Sequence, residues 1–181
     1  KDIALTIDLE LQSILNNELI KGVENSGAVS GNGVIINPNT GEILAMVSIP
    51  DFNPNQYSEF HNDSYKNKVI SENYEPGSTF KFVALATALS SNEYNLNNVL
   101  FCGNGTTKLI NNKFLRDHEP HGELTILDIF AHSSNIGISK LIDNFENIDF
   151  YKYCKNFGFG SITGTPFSNE ASGKIRSLNN W

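Results

Sequence analysis

Leu11, Ile14, Leu15 and Leu19 recur at helical spacing among polar neighbours, and Asp8 stands where an N-cap belongs. The pattern predicts a covering helix from Asp8 to about Glu24. Two short apolar runs follow, Gly33 to Asn37 and Ile43 to Ser48, on either side of Pro38-Asn39-Thr40-Gly41. Such turn chemistry between apolar runs predicts an antiparallel hairpin, largely buried. Pro50 to Lys68 is polar and aromatic, with prolines at both 50 and 54, and reads as a long ordered loop. Thr79 to Leu89 is apolar on nearly every face, which predicts a helix buried all round with Ser78 at its N-terminus. Asn92 to His121 reads as irregular connection with a short strand pair around Thr107 to Phe114. Helices are predicted over Leu124 to His132, Ile138 to Phe145 and Phe150 to Asn156, the last finishing at Gly158. Ser133, Ser134 and Asn135 fall in a link, where such side chains bond to backbone and end helices.

Composition narrows the function. The chain has 181 residues, 39% of them hydrophobic, and a net charge of −7, which fits a single globular domain with a sizeable core. Its 13 Lys and Arg form no concentrated basic face, which argues against nucleic acid as a partner. The longest apolar stretch, Phe82 to Leu89, is too short to span a bilayer, and no targeting segment is visible. Cys102 and Cys154 read as free thiols. Neither an internal repeat nor a domain linker is present.

The chemistry lies in Ser78-Thr79-Phe80-Lys81 and Ser133-Ser134-Asn135-Ile136-Gly137. A serine hydroxyl is a weak nucleophile at neutral pH and needs a base within reach. The i, i+3 spacing puts Lys81 on the face of Ser78, and a lysine in a buried helix loses solvation and with it proton affinity. At a helix start, backbone N–H groups and the dipole favour negative charge developing on the serine. Ser133 is a candidate proton relay, and Asn135 a candidate substrate-binding amide. Asp117-His118-Glu119-Pro120-His121-Gly122-Glu123 imitates a metal site, but its His-x-x-His spacing with an internal proline cannot form a helical zinc motif, so it reads as a polar loop. No metal or organic cofactor is called for.

With these motifs in view, the chain resembles class B penicillin-binding proteins, of the septal type of peptidoglycan D,D-transpeptidase that serves cell division. The likeness extends in order over Thr6-Ile7-Asp8-Leu9 with Gln12, Asn37 to Met46, Pro50 to Asn55, Asn67-Lys68, Glu75 to Lys81 and Ser133 to Gly137. It continues through Phe157-Gly158-Phe159-Gly160, Thr163-Gly164, Glu170 and Gly173. The resemblance implies an α/β (α+β), β-lactamase/transpeptidase-like fold in which helices cover an antiparallel sheet, and a reaction in which Ser78 attacks the D-Ala-D-Ala bond of a stem peptide. Lys81 would be the base, Ser133 the relay, Asn135 a ligand contact, and the Ser78 N–H half of the oxyanion hole. It implies stem peptides, β-lactams and, in a longer parent, cell-division proteins as partners. The implied location is the extracytoplasmic face of the bacterial inner membrane.

The family's third motif, Lys-Thr/Ser-Gly on an inner strand, occurs nowhere in residues 1–181. The resemblance therefore implies a partial transpeptidase domain whose C-terminal strands are absent. The isolated chain is expected to acylate slowly or not at all, and to compensate an open sheet edge by self-association, a swapped element or local rearrangement. Two other functions share these features: a non-catalytic binding or scaffold module, and a serine β-lactamase.

Overall fold

The computed structural model describes residues 2–60, 62–108, 113–167 and 169–180. The chain divides into two compact units. One comprises Lys1–Asn73 with Gly164–Ala171, and the other Tyr74–Thr163 with Ser172–Trp181.

In the first unit, helix α1 (Leu9–Ser26) begins where the sequence predicts. The Asp8 carboxylate accepts from the N–H groups of Glu10 and Leu11, and the helix ends on left-handed Gly27. Strands β1 (Gly31–Ile36) and β2 (Ile43–Ile49) pair antiparallel, with Val34 opposite Met46. The helix can lie against β1 because Gly31 and Gly33 carry no side chain. A Cβ at Gly31 would come 2.7 Å from Val23, and one at Gly33 2.9 Å from Leu15. Leu15 and Leu19 of the stripe read from the sequence, joined by Val23, form the face applied to the hairpin, whereas Ile14 of that stripe is 51% exposed.

The hairpin is less buried than predicted. Ala45 and Val47 of β2 are buried, but β1 alternates between half-buried and exposed, with Val34 42% and Ile36 50% exposed. Apolar runs report strand formation and not how many faces are covered. The segment predicted as a loop holds two short 3₁₀ turns, Pro54–Glu59 and Asn62–Tyr65, before the single-turn helix α2 (Lys68–Ser71). Phe52 packs edge-on against Tyr57, Phe60 and Tyr65 and gives this loop a core of its own.

In the second unit a 3₁₀ turn, Gly77–Phe80, leads into α3 (Lys81–Ser90). Ser78 therefore sits in the turn, and the α-helix proper opens at Lys81. The helix is not buried all round: Val83, Ala84, Thr87 and Ala88 are buried on one face, whereas Phe82 is 51% exposed, edge-on to Phe157. An all-apolar segment carries no periodic signal to say which face is covered.

Two-stranded antiparallel sheets follow: β3 (Val99–Phe101) pairs with β6 (Glu123–Thr125), and β4 (Thr106–Lys108) with β5 (Phe114–Arg116). The β4–β5 pair matches the predicted strand pair, of which residues 109–112 lie outside the described residues. Helix α4 (Ile126–Ala131) starts two residues later than predicted because Thr125 caps it, its hydroxyl accepting from Asp128 N–H. Helix α5 (Asn135–Ile142) starts three residues earlier because Ser134 caps it. Helix α6 (Asn147–Asn156) completes the set. Ala88, Ile126 and Leu141 form a fully buried core, flanked by Leu85, Tyr94, Leu100 and Phe145. Both cysteines are buried and unpaired, as the sequence suggests. Among the described residues no helix is long and apolar enough to cross a membrane.

The outer side of β2 is satisfied by side chain as well as backbone. Asp8 N–H donates to the Leu44 carbonyl at 2.9 Å, and the Gln12 amide both donates to the Met46 carbonyl and accepts from Met46 N–H, each at 2.8 Å. Replacing Gln12 by Ala leaves both half-buried Met46 groups without these bonds. The expected cost is about 1–3 kcal/mol, read as a lower urea midpoint at unchanged m-value.

Candidate active site

Four candidate residues, Ser78, Lys81, Ser133 and Asn135, all belong to the second unit. The 3₁₀ turn ties the first two together through backbone, since Lys81 N–H donates to the carbonyls of Ser78 and Thr79. Gly77 adopts φ +59, a left-handed conformation that glycine takes without steric cost, and so allows the turn that exposes Ser78. Among the described residues the Ser78 hydroxyl has no hydrogen-bond partner.

Lys81 is joined to Ser133 across the fold. Its Nζ donates to the Ser133 hydroxyl at 2.8 Å and also to the Ser133 carbonyl. Burial pushes the Lys81 ammonium below its ordinary value, and the Asp117 carboxylate opposes that in part by raising it. An amine of lowered proton affinity, one turn from an exposed serine and bonded to a second hydroxyl, has the chemistry of a base with a proton path.

Sequence reasoning missed Asp117. Strand β5 delivers it to the start of α5, where its two oxygens hold the Ser133–Gly137 segment in place. One oxygen accepts from the Ser134 hydroxyl at 2.6 Å, and the other from the N–H groups of Asn135 (2.5 Å) and Ile136 (3.1 Å). Ser134 is itself buried, and its hydroxyl accepts from Gly137 N–H at 2.9 Å. An anion on the first N–H groups of a helix is favourable both as hydrogen-bond acceptor and in the field of the helix. Asp117 lies within the loop that imitates a metal site. Among the described residues no group of three or more His, Cys, Asp or Glu side chains could hold a metal. The excess of carboxylates there was the available signal, but no spacing rule connects Asp117 to residues 134–136.

Asn135 is exposed, and one of its amide hydrogens is already used: Nδ2 donates to the Arg116 carbonyl at 2.8 Å. That bond fixes the direction of the side chain. Beneath the same turn, Gly137 is required by packing, because a Cβ would come 2.7 Å from Ile129 and 2.9 Å from the Cys102 sulfur. Burial raises the Cys102 thiol, and the Ser134 hydroxyl lowers it in part. A thiol so placed is a packing element of low reactivity.

Asp117→Ala strips the acceptor from a buried hydroxyl and two helix-terminal amides, with an expected loss of about 2–3 kcal/mol in urea unfolding. Asp117→Asn keeps the shape and removes the charge. Since that charge raises Lys81, its removal is expected to lower the Lys81 titration midpoint further, measurable by pH-dependent amine labelling.

Comparison with known proteins bears on what this geometry is for. Residues 31–181 match the model of the penicillin binding protein transpeptidase domain. The chain is 34% identical over 180 residues to the peptidoglycan D,D-transpeptidase FtsI of Escherichia coli K12, covering 99% of this chain and 30% of that protein. It is 35% identical over 180 residues to stage V sporulation protein D of Bacillus subtilis, covering 98% of this chain and 28% of that protein. The chain thus spans about a third of the length of these curated relatives. Among solved structures, the transpeptidase domain of Burkholderia pseudomallei penicillin-binding protein 3 superposes with a TM-score of 0.85 at 28% identity, over 98% of this chain and 49% of that one. A crystal structure described as a peptidoglycan glycosyltransferase from Burkholderia ambifaria gives a TM-score of 0.87 at 27% identity, over 98% and 52%. The chain belongs to the family of penicillin binding protein transpeptidase domains.

Proposed function

We propose that this chain carries the nucleophile half of a peptidoglycan D,D-transpeptidase site. The observation that carries the reading is the junction of Lys81 with both oxygens of Ser133, one turn from an exposed Ser78. Ser78 Oγ attacks the carbonyl carbon of the penultimate D-alanine of a stem peptide, and its proton passes to the neutral Lys81 amine. The tetrahedral intermediate collapses with cleavage of the C–N bond, and the departing D-alanine amine takes a proton relayed from Lys81 through Ser133. An ester on Ser78 remains. An amine of a neighbouring stem then attacks this ester, and Ser78 regains its proton as the cross-link forms. β-Lactams enter by the same attack, with the lactam C–N bond opening in place of the peptide bond.

In this reading the free N–H and the oxygen of the Asn135 amide hold the substrate backbone, and the Ser78 N–H at the start of its turn receives developing negative charge. The whole protein would act on stem peptides at the extracytoplasmic face of the inner membrane, in company with cell-division proteins. Support for peptidoglycan as the substrate comes from the name of one relative, the peptidoglycan D,D-transpeptidase FtsI.

Expressed from its whole reading frame, the protein is expected to form a covalent adduct with fluorescent penicillin at Ser78, identified by peptide mass spectrometry. Ser78→Ala should abolish the adduct, and Lys81→Ala should slow it by roughly 10²–10⁴-fold. An adduct that survives Ser78→Ala, or no adduct at all, overturns the reading.

A further inference from the structure

The link between α4 and α5 has a complete helix-terminating geometry with an unusual occupant. Ser133 N–H donates to the Phe130 carbonyl at 3.0 Å and Ser134 N–H to the Ile129 carbonyl at 2.9 Å. These are the two bonds of a Schellman motif, whose left-handed position is normally glycine. Ser133 occupies that position, at φ +54. Elsewhere among the described residues only Asn92 is a non-glycine with positive φ, and asparagine tolerates it. For serine the Cβ crowds the backbone in this conformation, which persists where the surroundings compensate.

The compensation is visible. Past the end of α4 the Ser133 carbonyl leaves the helical direction, and Lys81 donates to it as well as to the hydroxyl of the same residue. A neutral lysine amine has two N–H donors and one lone pair. With both donors taken by Ser133, the lone pair is the valence that remains for a third partner. A carbonyl acceptor persists whatever side chain stands at 133, provided that the backbone keeps its left-handed turn.

We propose that the left-handed backbone of Ser133 is a positioning device for Lys81: the Schellman turn presents the Ser133 carbonyl as an anchor that orients the amine independently of the Ser133 hydroxyl. The proposal rests on the reading of Lys81 as the base of Ser78 and adds a role for the main chain. It separates two properties that alanine replacement confounds, since Ser133→Ala removes the hydroxyl and keeps the backbone penalty.

A crossed pair of variants separates them. Ser133→Gly lacks the hydroxyl but favours the left-handed turn, whereas Ser133→Thr keeps a hydroxyl but its β-branch disfavours that turn. The readout is competitive acetylation of lysine amines as a function of pH, with Lys81 followed by peptide mass spectrometry. The expected result is that Ser133→Gly retains the wild-type midpoint and acetylation rate of Lys81. Ser133→Thr should raise its acetylation rate at least about threefold at fixed pH as the amine detaches and becomes accessible. Ser133→Asn, which also accepts left-handed backbone without a hydroxyl, should follow the glycine variant and serves if the threonine variant fails to fold. Loss of the wild-type Lys81 behaviour in the glycine and asparagine variants, or its retention in a folded threonine variant, overturns the proposal. Because the readout does not depend on turnover, it stands apart from penicillin labelling of wild-type Ser78, which tests the reading beneath it.

Discussion

A lysine amine partly withdrawn from water must be given acceptors, and at Lys81 both come from a single residue, Ser133. Much of the second unit follows from meeting that demand. Ser133 must stand in a reversal between two helices, so α4 ends abruptly and α5 begins within three residues. That reversal must in turn be held from behind, because a short helix start has unpaired N–H groups and little packing of its own. Asp117 supplies the hold with three hydrogen bonds, and Gly137 lets the start of α5 close onto Ile129 and Cys102.

The same arrangement sets the electrostatics of the amine through two opposed effects. Desolvation disfavours the ammonium, and the Asp117 carboxylate favours it, with desolvation the larger. Asp117 therefore has two consequences that pull apart chemically: it fixes the geometry of the Ser133–Gly137 segment, and it keeps a larger fraction of Lys81 protonated, with its lone pair occupied, at a given pH. A neutral group with the same hydrogen-bonding shape could not cap the helix as strongly, because charge-assisted bonds to N–H groups are the stronger kind.

Legibility in the sequence followed the periodicity of each segment. The stripe of α1 and its Asp8 cap were readable because a half-covered helix leaves a 3.6-residue pattern, and the hairpin because its turn residues punctuate two apolar runs. Helix α3 has no such pattern, so the exposure of Phe82 could not be foreseen. The serine and lysine motifs were readable as candidates because their chemistry is encoded in residue type at one-turn spacing. Asp117 was not, since its role depends on strand β5 bringing it to a distant helix end. The left-handed turn at Ser133 was hidden for the opposite reason: the motif is normally announced by glycine, and here a serine stands in its place.

The proposed function turns on Lys81 acting on Ser78 as a base of lowered proton affinity. The most direct measurement is the pH dependence of the rate at which Ser78 of the protein expressed from its whole reading frame is acylated by a penicillin. The rate is expected to rise with pH to a plateau, with its midpoint below the ordinary lysine value of 10.5. A rate that shows no inflection below that value, or that falls as Lys81 loses its proton, would contradict it.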